Sequence, residues 1–281
     1  GSTSFLESKF FREMYNKNDF KGTYLDEFIG DAYTIINPYT FLAVDRMAKS
    51  AGLNFNNSRI YFMQGGEEGD TIADGTGIRN RLVSLRDVPD TATWKNILST
   101  GALLDQIRQD KSHQVNSEGY IAERLYDMLI GDWNKIPENW NWQAIHTADS
   151  ILFNPIVIDL FKRMLKVLGL GFITNYSNHP KDIGEINTLG YTLDMALVSG
   201  VDESVWRTQA LTLQKNLSDS VINEAFGALP PEIQGAETEA IKKKLLIRRD
   251  SLPYMARRYY KKLQRTPVLA GTEGDDQIIL E

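Results

Sequence analysis

The chain has 281 residues, enough for one large domain or two small ones with a real core. Hydrophobic residues make up 42% and charged residues 24%, an ordinary globular balance that excludes a disordered chain. The absence of cysteine excludes disulfides and thiolate metal sites, and no apolar run approaches the roughly 20 residues of a membrane-spanning helix.

The N-terminus shows no signal-peptide pattern, an observation of little weight because Gly1-Ser2 reads as the remnant of an expression tag. Net charge is −6, unevenly spread. From Lys242 to Arg265 there are ten Lys/Arg residues and one acid, Asp250, a local +9 that leaves −15 elsewhere. Such a segment can dock an acidic partner domain, a phosphate or an anionic membrane, or can lie against the protein's own acidic surface. Nucleic acid is not expected as a partner of so acidic a chain.

Residues 22–51 read as two successive helices. Leu25, Phe28, Ile29, Ala32, Tyr33 and Ile36 share one face, and Pro38 suits the first turn of the second helix. Phe41, Leu42, Val44 and Ala48 continue it, and Gly52 stops it. Strand signals follow at 58–64 and 80–87, around a glycine-rich loop at 65–77. That loop holds four acids and no lysine, so it repels phosphate and reads as a turn. A short helix is expected over 102–110. A stronger one covers 117–131, with Ile121, Leu125, Met128 and Leu129 in one stripe, Asn116 or Ser117 as cap and Gly131 as stop. Two strands, 140–147 and 150–159, join at Ala148-Asp149. Helices are expected at 160–169, 202–217 and 237–264, the last long and basic, and a strand near the C-terminus. With no internal repeat or polar linker, residues 1–281 read as one domain.

There is no G-x-S-x-G elbow, H-E-x-x-H motif or P-loop. His113, His146 and His179 are scattered without metal-ligand spacing. The informative stretch is 129–142, LIGDWNKIPENWNW. A helix, a polar loop, two strands and then Asp159 follow the order of parts in kinase-type phosphotransferases. Asn139 and Asp159, 20 residues apart, have a spacing suited to two magnesium ligands. A rival reading makes Trp133, Trp140 and Trp142 a stacking platform for a sugar or peptide. Trp140 and Trp142 fall on one face of a strand, which is either such a platform or the core side of the hairpin.

Residues 121–142 (IAERLYDMLIGDWNKIPENWNW) resemble a segment of a domain found in bacterial envelope metallophosphoesterase-associated proteins; 38–63 and 228–263 fit the same family. The resemblance implies an envelope setting, periplasmic or associated with the outer membrane. The family's GDWDRHxxxW pattern is itself similar to the DRHxxN catalytic loop of lipid-kinase-like and secretory-pathway kinases. On that likeness Asn134 stands at the catalytic aspartate, Lys135 at the arginine and Ile136 at the histidine, while Asn139 and Asp159 keep the metal positions. An amide cannot accept a proton as a carboxylate does. Asp132, two residues earlier, is the remaining candidate base. No strand with a nucleotide-clamping lysine precedes the helices. The expected fold is α+β and helix-rich, resembling the helical lobe of a kinase-like fold with small β-hairpins. The expected function is a non-catalytic, degenerate kinase-like accessory or ligand-binding domain. The alternatives are a residual phosphotransferase using Mg and ATP, and a carbohydrate- or peptide-binding module built on the tryptophan loop.

Overall fold

The computed structural model describes residues 39–63, 81–85, 87, 96–132, 135–157 and 183–265. The helix expected before Pro38, the 65–77 loop, the 160–169 helix and the C-terminal strand lie outside the described residues.

Helix α1 (Thr40–Ser50) buries Phe41, Ala43, Val44, Met47 and Ala48 on one face, as its spacing predicts, and closes at Gly52 (φ 75°). Asp45 on this helix accepts the backbone N–H groups of Asn56 and Ser58, both at 2.6 Å, and so fixes where the next strand starts. Strands β1 (Arg59–Met63) and β2 (Arg81–Leu85) form a separate antiparallel ribbon.

The second sheet has the order β3-β5-β6-β4, from β3 (Ile97–Ser99), β4 (His113–Val115), β5 (Trp140–His146) and β6 (Ile151–Val157). The β5–β6 hairpin lies where the sequence predicts it; β4 adds in parallel to β6, and β3 antiparallel to β5. Between β3 and β4 runs α2 (Thr100–Gln109), whose first turn is capped by the Ser99 hydroxyl. Thr100 at its start donates to the carbonyl of Pro137 at 2.7 Å, which anchors the helix to the loop leading into β5.

Helix α3 (Ser117–Ile130) crosses the middle of the structure. Asn116 takes the cap position, its side chain accepting from the Gly119 N–H at 3.0 Å, and Gly131 ends the helix at φ 79°, a left-handed conformation that favours glycine. The apolar stripe predicted a helix with one buried face. Every residue from Tyr120 to Ile130 is buried, so α3 is enclosed on all sides, its polar positions included.

The C-terminal half is helical: α4 (Ile183–Ile186), α5 (Tyr191–Val198), α6 (Glu203–Asn216), α7 (Asp219–Gly227), α8 (Ala236–Asp250) and α9 (Leu252–Leu263). The single basic helix expected over 237–264 is two helices. Pro253 has no N–H to donate and falls in the first turn of α9, so the chain breaks at Ser251. One apolar cluster runs from Ala43 on α1 through α3 and the hairpin to Leu263 on α9. The architecture is α+β and helix-rich.

Candidate functional site

The loop after α3 is built around buried charge. The Asp132 N–H caps the helix by donating to the Asp127 carbonyl at 2.8 Å, and its side chain turns inward, 3% exposed. Lys135 meets it there: Nζ lies 3.3 Å from Asp132 Oδ2, 3.4 Å from Asp127 Oδ1 and 4.9 Å from the centre of the Trp140 ring. Asp127 in turn accepts from Arg124 Nη1 at 3.2 Å.

Arg124 continues the chain of charges. Its Nε and Nη2 grip the two oxygens of Asp194 at 2.9 and 3.0 Å, a fork-to-carboxylate fit, and Nη2 also donates to Asn187 at 2.7 Å. Asp194 accepts two phenols besides, Tyr120 at 2.7 Å and Tyr259 at 2.5 Å. Burial, then the Asp194 charge, pushes both tyrosines well above their ordinary range. Burial alone would lower Arg124, but Asp194, Tyr120, Tyr259 and Asp127 together outweigh it and hold the guanidinium well above its ordinary value. This network joins α3 and the loop that follows it to α5 and α9, both far from them in sequence. Breaking one partner of such a buried pair costs about 3–5 kcal/mol.

The hairpin settles the orientation of two tryptophans. Trp140 and Trp142 do share one face, and that face is the core: they are 1% and 0% exposed. Tyr120 lies against both, with ring centres at 4.8 and 5.6 Å, and Trp142 Nε1 donates to Thr100 Oγ1 at 3.0 Å. A stacking platform needs an open ring face, so the expectation of ligand binding at Trp140 and Trp142 is corrected to core packing. Asn139 ends a 3-10 turn (Pro137–Asn139) and is itself buried. Trp133, Asn134 and Asp159 lie outside the described residues, and with them the expected Asn139–Asp159 metal pair. Among the described residues no three His, Asp or Glu side chains come together as metal ligands. His113 packs edge-on against Phe153 with Nδ1 2.8 Å from the Gln106 carbonyl, His146 is exposed, and His179 lies outside the described residues.

The basic segment divides. Arg248, 1% exposed, donates to the carbonyls of Met128 and Leu129 at the end of α3, and Arg249 donates to the Leu217 carbonyl just after α6 and to Asp219. Each puts a cation at the negative end of a helix, and α3 has no basic residue of its own in its last turn. Lys243, Lys244, Arg257, Arg258, Lys261 and Arg265 face outward, Arg257 3.4 Å from Glu203.

A cleft of about 260 Å³ opens between the turn after α1, the first turns of α3 and the β5–β6 hairpin. Asn54, Asn116, Gln143 and Asn154 line it, with Pro155, and the buried Glu123 carboxylate belongs to its wall. Glu123 accepts the Asn54 N–H at 2.9 Å and its side-chain amide at 2.7 Å; Asn116 donates to Asn154 Oδ1 at 3.0 Å. Sequence reasoning singled out Asn116 only as a helix cap and the others not at all. The one signal available was the outward register of Gln143 and Asn154, which follows from the inward tryptophans. No protein-family model matches the chain, and no curated protein matches it.

Proposed function

We propose that the chain is a non-catalytic, degenerate kinase-like accessory or ligand-binding domain of a bacterial envelope protein, periplasmic or associated with the outer membrane. The observation that carries this reading is the pairing of Asp132 with Lys135 inside the protein. A general base must come within hydrogen-bonding reach of the proton that it removes. Asp132 spends its carboxylate on a buried ammonium instead, and the position that aligns with a catalytic aspartate holds an amide, Asn134. The envelope setting is supported by the resemblance of residues 121–142. The outward cations of 242–265 are the proposed contact for an acidic partner domain or an anionic membrane surface. The alternative, a phosphotransferase using Mg and ATP with Asn139 and Asp159 on the metal, requires Asp132 to leave its lysine. The test is incubation of the purified chain with magnesium, γ-labelled ATP and protein acceptors. No label should transfer. Transfer that disappears in both Asp132→Asn and Asp159→Asn would establish the phosphotransferase instead.

A further inference from the structure

We infer that the cleft beside the N-terminus of α3 binds a neutral, hydroxylated ligand about the size of one sugar ring. This rests on the binding-domain reading above and names the site and ligand class that the reading lacks. The choice follows from which polar groups are already spent. Asn54 uses its backbone N–H and its amide nitrogen on Glu123 and Pro155, which leaves its carbonyl oxygen for a ligand. Asn154 uses its oxygen to accept from Asn116, which leaves its amide nitrogen. Gln143, paired across the strands with Asn154, makes no side-chain hydrogen bond among the described residues. Donors and acceptors therefore stand side by side, as hydroxyl groups require, since each hydroxyl both gives and accepts.

Charge narrows the ligand further. The lining contains one carboxylate, Glu123, and no lysine, arginine or histidine. A phosphate or carboxylate would enter against that field with no cation to receive it. Leu53, Pro155 and Ile156 supply an apolar side to the same cleft, suited to the C–H face of a sugar. Its volume lies just below the roughly 300–1,000 Å³ of drug-sized sites, which favours a single ring over a chain of them.

The backbone argues against a peptide. Strand β4 covers β6 only from Ile151 to Phe153, and among the described residues no strand pairs with that edge of β6 beyond this point. The Phe153 carbonyl there already accepts the Asn116 N–H at 2.9 Å. Pro155 has no N–H, and its carbonyl accepts from Asn54 at 2.9 Å. The groups with which an added peptide strand would pair are taken or missing. Recognition in this cleft must therefore go through side-chain amides. Gly119 keeps the arrangement open: a Cβ there would come within 2.8 Å of the Asn116 amide nitrogen, pushing it off Asn154.

The test uses the whole chain and a panel of methyl pyranosides (gluco, galacto, manno and N-acetylglucosaminyl), followed by saturation-transfer NMR and calorimetry. At least one should bind, and Gln143→Ala should weaken it roughly three- to tenfold, the loss of one or two hydrogen bonds. Gln143 makes no side-chain hydrogen bond among the described residues, so the variant should melt with the wild type, and that melt is measured alongside. Failure of every pyranoside to bind at tens of millimolar would overturn the inference. So would binding indifferent to Gln143→Ala, or a blocked tripeptide binding in place of the sugars. The labelled-ATP experiment separates the two claims: transfer of phosphate defeats the non-catalytic reading, whereas absent sugar binding without transfer defeats only this one.

Discussion

Asp194 shows how a single buried side chain organises this protein. It is fully buried, yet it collects the fork of Arg124 and two phenolic hydroxyls, so none of these four groups enters the core without a partner. The phenols serve only while protonated. In the unfolded chain each ionises near its ordinary value of 10.0, whereas in the fold burial first, and Asp194 next, keeps it neutral to higher pH. Above that value the unfolded state holds fewer protons than the folded state, so stability falls as pH rises. The stabilisation is complete below about pH 10 and is lost progressively above it, by up to about 1.4 kcal/mol per pH unit for each tyrosine. Urea titrations between about pH 9 and about pH 11 should show this slope. Tyr259→Phe should roughly halve it, whatever the variant does to stability at neutral pH. A slope unchanged by that substitution would mean the loss arises elsewhere.

At the scale of elements, the ends of helices decide much of the packing. Helix α3 carries no basic residue in its last turn, and Arg248 of α8 supplies that charge from across the fold by donating to Met128 and Leu129. Arg257, seven residues further into the same basic run than Asp250, instead pairs with Glu203 at 3.4 Å in the open. Arg248→Ala should therefore cost about 2–4 kcal/mol, since it strips charged hydrogen bonds from buried carbonyls. Arg257→Ala should cost under about 1 kcal/mol, as exposed ion pairs do. Chemical denaturation of the two variants compares them directly; equal losses would show that Arg248 is not a cap. The sequence made α3 legible because stripe, cap and stop agreed: Leu125 and Leu129 in phase, Asn116 before, Gly131 after. It could not show β3 and β4, whose three residues are too few for an alternating pattern. The division of the basic helix was present in Ser251-Leu252-Pro253, where a proline starts a helix as readily as it ends one. The amide cleft left only the outward register of Gln143 and Asn154 in the hairpin, because no local spacing relates that pair to Asn54 and Asn116.

For the whole molecule, the charge count and the fold bear on one another. The +9 of residues 242–265 suggests a uniformly cationic surface, but Arg248 and Arg249 are turned into the core and several others lean on the protein's own groups. Lys262 lies 5.2 Å over the Tyr191 ring, and Lys242 contacts Glu239 at 2.6 Å. Arg248, Arg249 and Lys262 therefore hold α8 and α9 against the rest of the fold, while the outward cations stay at the surface. The same holds in the loop after α3, where Asp132 and Lys135 are structural partners and Trp140 and Trp142 are core. If those residues hold the fold together, magnesium and ATP have no reason to stabilise it. Nucleotide present at a hundredfold its Kd would add about 2.7 kcal/mol and raise the melting temperature of a chain this size by roughly 5 °C. The expected result is no shift at millimolar Mg·ATP, followed by scanning calorimetry or tryptophan emission. Of the five tryptophans Trp140, Trp142 and Trp206 are buried, so that emission follows the opening of the core. An upward shift that vanished in Asp159→Asn would place nucleotide at the loop after all and would require Asp132 to be free of Lys135 when nucleotide is bound.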